Sequence, residues 1–239
     1  MLFEYGDRIL EVIREAEERN KDTIRLLAEK FAENIENDKV IHTFGTGHSH
    51  MVGIELFARA GGLGKVDAML DPDTLTSFGA GRSGAMEKTC GVSDVIYDSY
   101  DIRPGDIMLI TSNSGRNAMP IEMAMRCQKE GVYVVAMTNL EQSKNTTSRH
   151  PSGKKLYECA DCVIDSCVPS GDATLDLDGI KTGPASSIVT MYLINTIVSE
   201  AIKIVLSHGK RPYVFQSQNV DGFDNNAINE HFKGRIKHF

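Results

Sequence analysis

The sequence predicts an α/β fold in which a parallel sheet carries helices on both faces. Three observations lead there. Short apolar runs near 40–44, 66–70, 107–111, 132–138 and 162–166 read as strands, with helical stretches between several of them. Two of these runs lead straight into small, hydroxylated loops, Gly45-Thr46-Gly47-His48-Ser49 and Ser112-Asn113-Ser114-Gly115-Arg116-Asn117, and each loop opens an apolar-periodic stretch. A strongly apolar helical pattern over 184–206 supplies a long element to pack on the sheet.

Residues 7–35 read as one long helix or two consecutive ones, because Ile9, Ile13, Ala16, Ile24, Leu27 and Phe31 recur at helical spacing. Lys39, Asp106 and Gly131 mark strand entries after polar turns. The first loop leads into a helix over 51–60 and the second into one over 120–130. Pro184 opens the last helix and Gly209 follows it, while Ile188, Met191, Ile194, Val198 and Ile202 keep its period. That apolarity predicts burial in the core or at a subunit interface. Residues 214–239 are polar and weakly periodic, as in a frayed surface or an ordered flap. The expected organisation is a single domain, with a helical arm over 1–37, a core over 38–210 and a tail over 211–239.

Composition narrows the function classes. A chain of 239 residues buries a substantial core without a disulfide or metal staple. A net charge of −7 without a Lys/Arg stripe argues against nucleic acid. The N-terminus lacks the apolar core of a signal peptide, and no run reads as long enough to span a bilayer. A cytoplasmic protein with no membrane partner is expected. Five cysteines, an odd number, fit that compartment. Cys159-Ala160-Asp161-Cys162 is a CxxC with Cys167 close behind, but no second pair completes a zinc site. Buried thiols are the expected reading, with no metal and no organic cofactor.

The two loops carry the chemistry. Small residues leave backbone N–H groups and hydroxyls free to point at one ligand, and a helix N-terminus favours an anion. Together they suit a phosphorylated small molecule. Rival motifs are weaker. Position 50 is His where a dinucleotide fingerprint opened by Gly45 and Gly47 needs its third Gly. Gly79-Ala80-Gly81-Arg82-Ser83-Gly84 follows no strand and reads as a loop. No GxxxxGK[ST] is present, and Gly81-Arg82-Ser83 lacks the second Gly of a nucleophile elbow.

The strand–GxGxS–helix unit at 40–60, the strand–SxSGxN–helix unit at 107–130, the strand at 132–138 and the Ala160-Asp161 lead-in together resemble the SIS (sugar isomerase) domain family over about 33–210. His48-Ser49-His50, residues 148–154 and residues 219–222 further resemble a SIS subfamily named for the domain or as phosphoheptose isomerase-like proteins. The resemblance implies a three-layer αβα sandwich on a five-stranded flavodoxin-like sheet, a homodimer or homotetramer, and a phosphorylated sugar as ligand. It implies that Ser49, Ser112, Ser114 and Asn117, with Thr46 and Asn113 of the same loops, hold the phosphate. Aldose–ketose isomerisation through an enediol is the activity it suggests. A non-catalytic phosphosugar sensor and an etherase- or deaminase-like enzyme on an amino-sugar phosphate are the alternatives.

Proton transfer between adjacent carbons needs a carboxylate or imidazole base. Counting from Gly45, Arg59 and Cys90 stand where related enzymes place Glu, and Asn195 stands nearest a family His. An Arg cannot act as a base. Glu55, Glu87 and His48 are the substitutes, although Glu55 and Arg59 at i, i+4 also suit a surface ion pair. His50, Arg59, Arg82 and Lys181 are further ligand-contact candidates. The His150/Lys154/Lys155 cluster is a basic island on an acidic chain, and Asn219, Asp221 and Gly222 suit a cap over a site.

Overall fold

The strands of the central sheet are buried on both faces, which requires a helical layer on each side. The computed structural model describes residues 3–239. β1 (Ile41–Gly45), β2 (Val66–Ala68), β3 (Ile107–Thr111), β4 (Tyr133–Thr138) and β5 (Cys162–Asp165) form a parallel sheet in the order β2-β1-β3-β4-β5. All five lie on the runs expected to be strands, in a doubly wound, flavodoxin-like order. On β3, Ile107 and Leu109 pack into one layer while Met108 and Ile110 pack into the other.

The first layer holds α1 (Glu4–Glu36), α2 (His50–Leu56) and a later long helix. The second holds α3 (Ala80–Met86), α4 (Val92–Tyr97) and α5 (Ala118–Lys129). A short α6 (Leu140–Lys144) follows β4. The residues between β5 and the last long helix form an antiparallel hairpin of β6 (Ala173–Leu177) and β7 (Ile180–Pro184), then α7 (Ser186–Ser207) and α8 (Asn226–His231). α1 is one continuous helix, buried at Ile9, Ala16, Ile24, Leu27 and Phe31. Its Asn20 accepts the Asp165 N–H at 2.9 Å and donates to the Asp165 carbonyl at 2.8 Å, occupying the open edge of β5.

Four expectations need correction. α2 stops at Leu56 rather than near residue 60, because Phe57 turns out to pack against Phe215, Ile228, Phe232 and Ile236 of the tail and Gly61 donates to the Phe215 carbonyl. Residues 79–84 are largely helical: Gly79, at φ 129°, turns the chain into α3. Pro184 ends β7 instead of opening the helix, and the start of α7 is held by Asp172. That carboxylate accepts the Ala185 and Ser186 N–H groups at 3.1 and 2.7 Å and the Ser186 hydroxyl at 2.7 Å. α7, finally, does reach the length and hydropathy of a membrane span, at 22 residues with a mean hydropathy of 1.6. It buries Val189, Leu193, Ile197 and Ala201 in the layer shared with α1, while Met191, Ile202 and Ile204 are only partly buried.

The tail is an ordered flap. It pairs with the segment leading into β2 through a Leu63–Val214 bridge and seats Ile228 on Gly64, where a β-carbon would come within 2.6 Å of that isoleucine. At the N-terminal end of the sheet, His42 is fully buried between Asp106 (3.2 Å) and Asp67 (3.3 Å), and the tail's Arg235 closes on Asp106.

The first loop depends on close packing beneath it. A β-carbon on Gly53 would lie 2.5 Å from the buried Thr43 hydroxyl of β1. Gly53→Ala is therefore expected to push α2 off the sheet at a cost of about 1–3 kcal/mol, read as a lowered thermal midpoint by circular dichroism.

Candidate functional site

In the strand order, the chain reverses direction of growth at β1 and β3, and ligands of such sheets bind beyond the C-terminal ends of strands at that point. Both hydroxylated loops lie there. Residues 45–49 follow β1 and residues 112–117 follow β3. Gly47 and Gly115, at φ 58° and 56°, make the tight turns. At Gly115 a β-carbon would sit 3.0 Å from the Ser143 and Thr138 hydroxyls, so this loop lies close against the next one.

The two loops share one concave surface. Its inner part is a cleft of about 210 Å³, lined by His48, Ser49, Thr111, Asn113, Thr138 and Ser166 from the strand ends, and by Asp172, Ser186 and Thr190 at the mouth of α7. Its outer part is lined by Thr46, Ser49, Glu87, Ser112, Asn113, Ser114 and Asn117, with Asp172 and Gln142. Ser49, Asn113 and Asp172 belong to both. Hydroxyls and amides dominate the wall, with the Asp172 and Glu87 carboxylates among them, which suits a polyhydroxylated ligand.

Glu87 lines the outer part of this surface. It lies at the C-terminal end of α3, the less favourable end of a helix for an anion. Its position is fixed by the loops: Thr46 Oγ1 donates to Oε2 at 2.7 Å and Asn117 Nδ2 donates to Oε1 at 2.6 Å. Arg149 donates to Asn117 Oδ1 at 3.0 Å, completing a hydrogen-bonded rail from Arg149 through Asn117 and Glu87 to Thr46. Thr46 and Asn117, expected to meet a phosphate, thus face Glu87 instead. Among the loop residues, Ser49 and Ser114 present hydroxyls to the cleft, and Ser112 Oγ accepts the Gly115 N–H at 3.2 Å.

The remaining candidates separate. His48 is exposed and lines the cleft, whereas His50, two residues on, points into the protein. His50 Nδ1 lies 3.3 Å from the Gly47 carbonyl and Nε2 lies 3.0 Å from the Thr74 hydroxyl, and burial pushes its pKa down to about 4. It braces the first loop as a neutral ring. Glu55 does not line the cleft: it pairs with Arg59 and accepts from Asn195 Nδ2 at 2.7 Å, between α2 and α7. Arg59 is thereby committed as well. Arg82 pairs with Asp73 at 2.5 Å, and Lys181 pairs with Asp176 at 2.6 Å across the hairpin, so neither reaches the site.

The basic island also disperses. Lys155 donates to the Ser143 and Thr146 carbonyls, His150 faces Glu122, and Lys154 is exposed. Residues 219–222 are exposed and do not line the cleft. Cys159 and Cys162 are buried free thiols. Asp172, Gln142, Ser166, Ser186, Thr190 and Arg149 are site residues that sequence reasoning missed. The Asp178-Gly179 turn was the available signal for the hairpin below Asp172, both residues having the positive φ of a two-residue turn (51° and 86°).

Comparison with known proteins agrees with this architecture. A family model describing the SIS domain matches residues 4–139. A UPF0309 protein of Caldanaerobacter subterraneus subsp. tengcongensis is 37% identical over 245 residues, covering 100% of both chains. Among solved structures, phosphoheptose isomerase GmhA from Neisseria gonorrhoeae superposes with a TM-score of 0.55 at 18% identity, over 84% of this chain and 95% of that one. The Vibrio vulnificus NanR protein complexed with ManNAc-6P gives 0.53 at 16% identity, over 86% of this chain and 63% of that one.

Proposed function

This chain belongs to the SIS-domain family, and from that premise we propose that it binds a phosphorylated sugar in the cleft between its β1 and β3 loops and isomerises it through an enediol. The observation that carries the reading is the position of Glu87, a carboxylate held by hydrogen bonds from both loops on a surface rich in hydroxyls and amides, whereas the cleft's other carboxylate, Asp172, is committed to the start of α7. The phosphate lies against Ser49, Ser112, Asn113 and Ser114, and the sugar's first two carbons turn toward Glu87. Glu87 takes the proton from one carbon and returns it to the next. His48, on the rim, contacts the sugar hydroxyls.

A phosphosugar-binding protein without catalysis is the second reading. It is favoured by the pairing of Glu55 with Arg59 and by the two donors already on Glu87, which take one lone pair of each carboxylate oxygen. Proton NMR in D₂O with hexose, hexosamine, pentose and heptose phosphates separates the two. Loss of the signal beside the carbonyl, or a new sugar, supports isomerisation. Line broadening without exchange supports binding alone, and no response to any sugar phosphate overturns both.

The loop assignment has its own test. Ser49→Ala and Ser114→Ala each remove a hydroxyl from a charged ligand, so affinity by titration calorimetry should fall roughly 10–100-fold in each. Unchanged affinity in both variants would remove the phosphate from these loops.

A further inference from the structure

Outside the cleft, three side chains of metal-ligating type converge from distant parts of the chain. Cys90 precedes α4, Glu122 lies on α5, and His150 sits in the loop that backs residues 112–117. One ligand atom from each lies within 4.8 Å of the other two. His150 Nε2 is 3.4 Å from Glu122 Oε1, and both side chains are mostly shielded, at 12% and 17% exposure. Cys90 is exposed. We propose that Cys90, Glu122 and His150 form a binding site for a divalent thiophilic cation of the zinc class, with the fourth position open to solvent.

The donor set is the first argument. Thiolate, imidazole and carboxylate are the three protein ligands that zinc takes, and their mixture disfavours the hard, oxygen-seeking magnesium and calcium ions. Geometry is the second. Bonds of about 2.0–2.3 Å in a tetrahedron separate donors by roughly 3.3–3.7 Å, which the imidazole–carboxylate pair already satisfies. The Cys90 thiol already interacts with Glu122 and has only to close the remaining gap to the ring. Outer support is the third. Glu122 Oε2 accepts the Gly91 N–H at 2.8 Å, which turns Oε1 toward the other ligands. His150 Nδ1 lies 2.7 Å from Ser152 Oγ, so with a cation on Nε2 the ring proton sits on Nδ1 and is donated to that hydroxyl. The Ser152 N–H now directed at Nδ1, at 3.2 Å, must then move aside.

A nucleophilic cysteine triad fits less well. In such a triad the acid supports the ring from the nitrogen opposite the one that activates the nucleophile. Here Glu122 stands on the Nε2 side and Ser152 holds Nδ1, so the groups converge on a point rather than forming a relay. Binding displaces the Cys90 thiol proton to solvent as the metal–sulfur bond forms, so affinity rises with pH. A bound cation would tie together the segment that carries Glu87 and the loop that carries Arg149, both of which contact Asn117.

The test is titration of the full chain with Co²⁺. One equivalent should bind with a thiolate-to-cobalt charge-transfer band in the near ultraviolet, and Zn²⁺ should abolish that band by displacement. Cys90→Ser should remove the band, and His150→Ala should weaken binding at least about tenfold. Because Cys90 is exposed, the Cys90→Ser protein should melt like the parent without metal and lose the stabilisation that Zn²⁺ confers on the parent. Absence of stoichiometric binding, or a band that survives Cys90→Ser, overturns the site. The second result would move the metal to another thiol such as Cys159 or Cys162.

Discussion

Replacing Arg235 by leucine is expected to cost about 3–5 kcal/mol of folding stability, the loss typical when one partner of a buried ion pair is removed. Asp106 and Asp67 are both fully buried at the N-terminal end of the sheet, with His42 between them. Arg235 supplies the second positive charge by pairing with Asp106 and donating to the Asp101 carbonyl. Without it, Asp106 keeps the Val40 and Arg103 N–H groups and His42, but two buried carboxylates face one imidazolium. The thermal midpoint should fall on the order of 10 °C for a domain of this length. Arg235→Lys should recover part of it.

The pH dependence follows from the same group of charges. Burial alone would raise the Asp106 pKa, but hydrogen bonds from His42, the Val40 N–H and Arg235 hold it at about 2. Its contribution is therefore complete above the ordinary value of 3.8 and is lost as pH falls toward 2. For His42, burial opposes the charged form, and the bonds to Asp106 and Asp67 outweigh it, leaving the pKa raised. Its contribution is complete below the ordinary 6.5 and is lost as pH rises through the folded value. Stability should form a plateau between these limits. In Arg235→Leu the acid edge of that plateau should move to higher pH, which a merely weakened core would not produce. Melting curves across pH decide it; an unmoved acid edge with a near-normal midpoint would mean that the quartet does not hold the tail.

The parts that could be read in the sequence are those fixed by local pattern. Five apolar runs gave five strands, and the Ile9-to-Phe31 spacing gave α1, because burial on a fixed period leaves its mark on neighbouring residues. Local pattern failed where distant residues decided the outcome. Nothing in residues 51–60 announces that Phe57 will leave the helix to meet Phe215 and Phe232. His48 and His50 look equivalent as a His-Ser-His triplet, yet two residues of helical rotation expose the first and bury the second. Among the cationic candidates, the Arg59 pairing with Glu55 is legible at i, i+4, whereas the partners of Arg82 and Lys181, Asp73 and Asp176, are set by the fold of loop and hairpin. Arg149 escaped notice because its value lies in Asn117, a contact made through the fold. Glu87 was visible as a carboxylate, but its two donors lie in two other segments.

Glu87→Gln is expected to slow proton exchange from the sugar phosphate by roughly 10²–10⁴-fold, the contribution of a positioned general base. The amide keeps the shape of the carboxylate and one acceptor oxygen, so Thr46 retains its partner. The new NH₂ group, however, faces the donor Nδ2 of Asn117, whose side chain can rotate to offer Oδ1 only by releasing Arg149. Some loosening of the loops therefore accompanies the chemical change, and activity alone would not distinguish a lost base from a disturbed cleft. Affinity makes the distinction. A base removed from an intact cleft leaves sugar-phosphate binding within a few-fold of the parent, whereas a collapsed second loop weakens binding and exchange together. Glu55→Gln provides the contrast, since Glu55 lies outside the cleft against Arg59 and Asn195, and its loss should leave exchange unchanged. Exchange that persists at the parental rate in Glu87→Gln and disappears in Glu55→Gln would transfer the base to Glu55 and require Arg59 to swing away. Persistence in both would leave His48 and Asp172 as the remaining titratable candidates on the cleft wall.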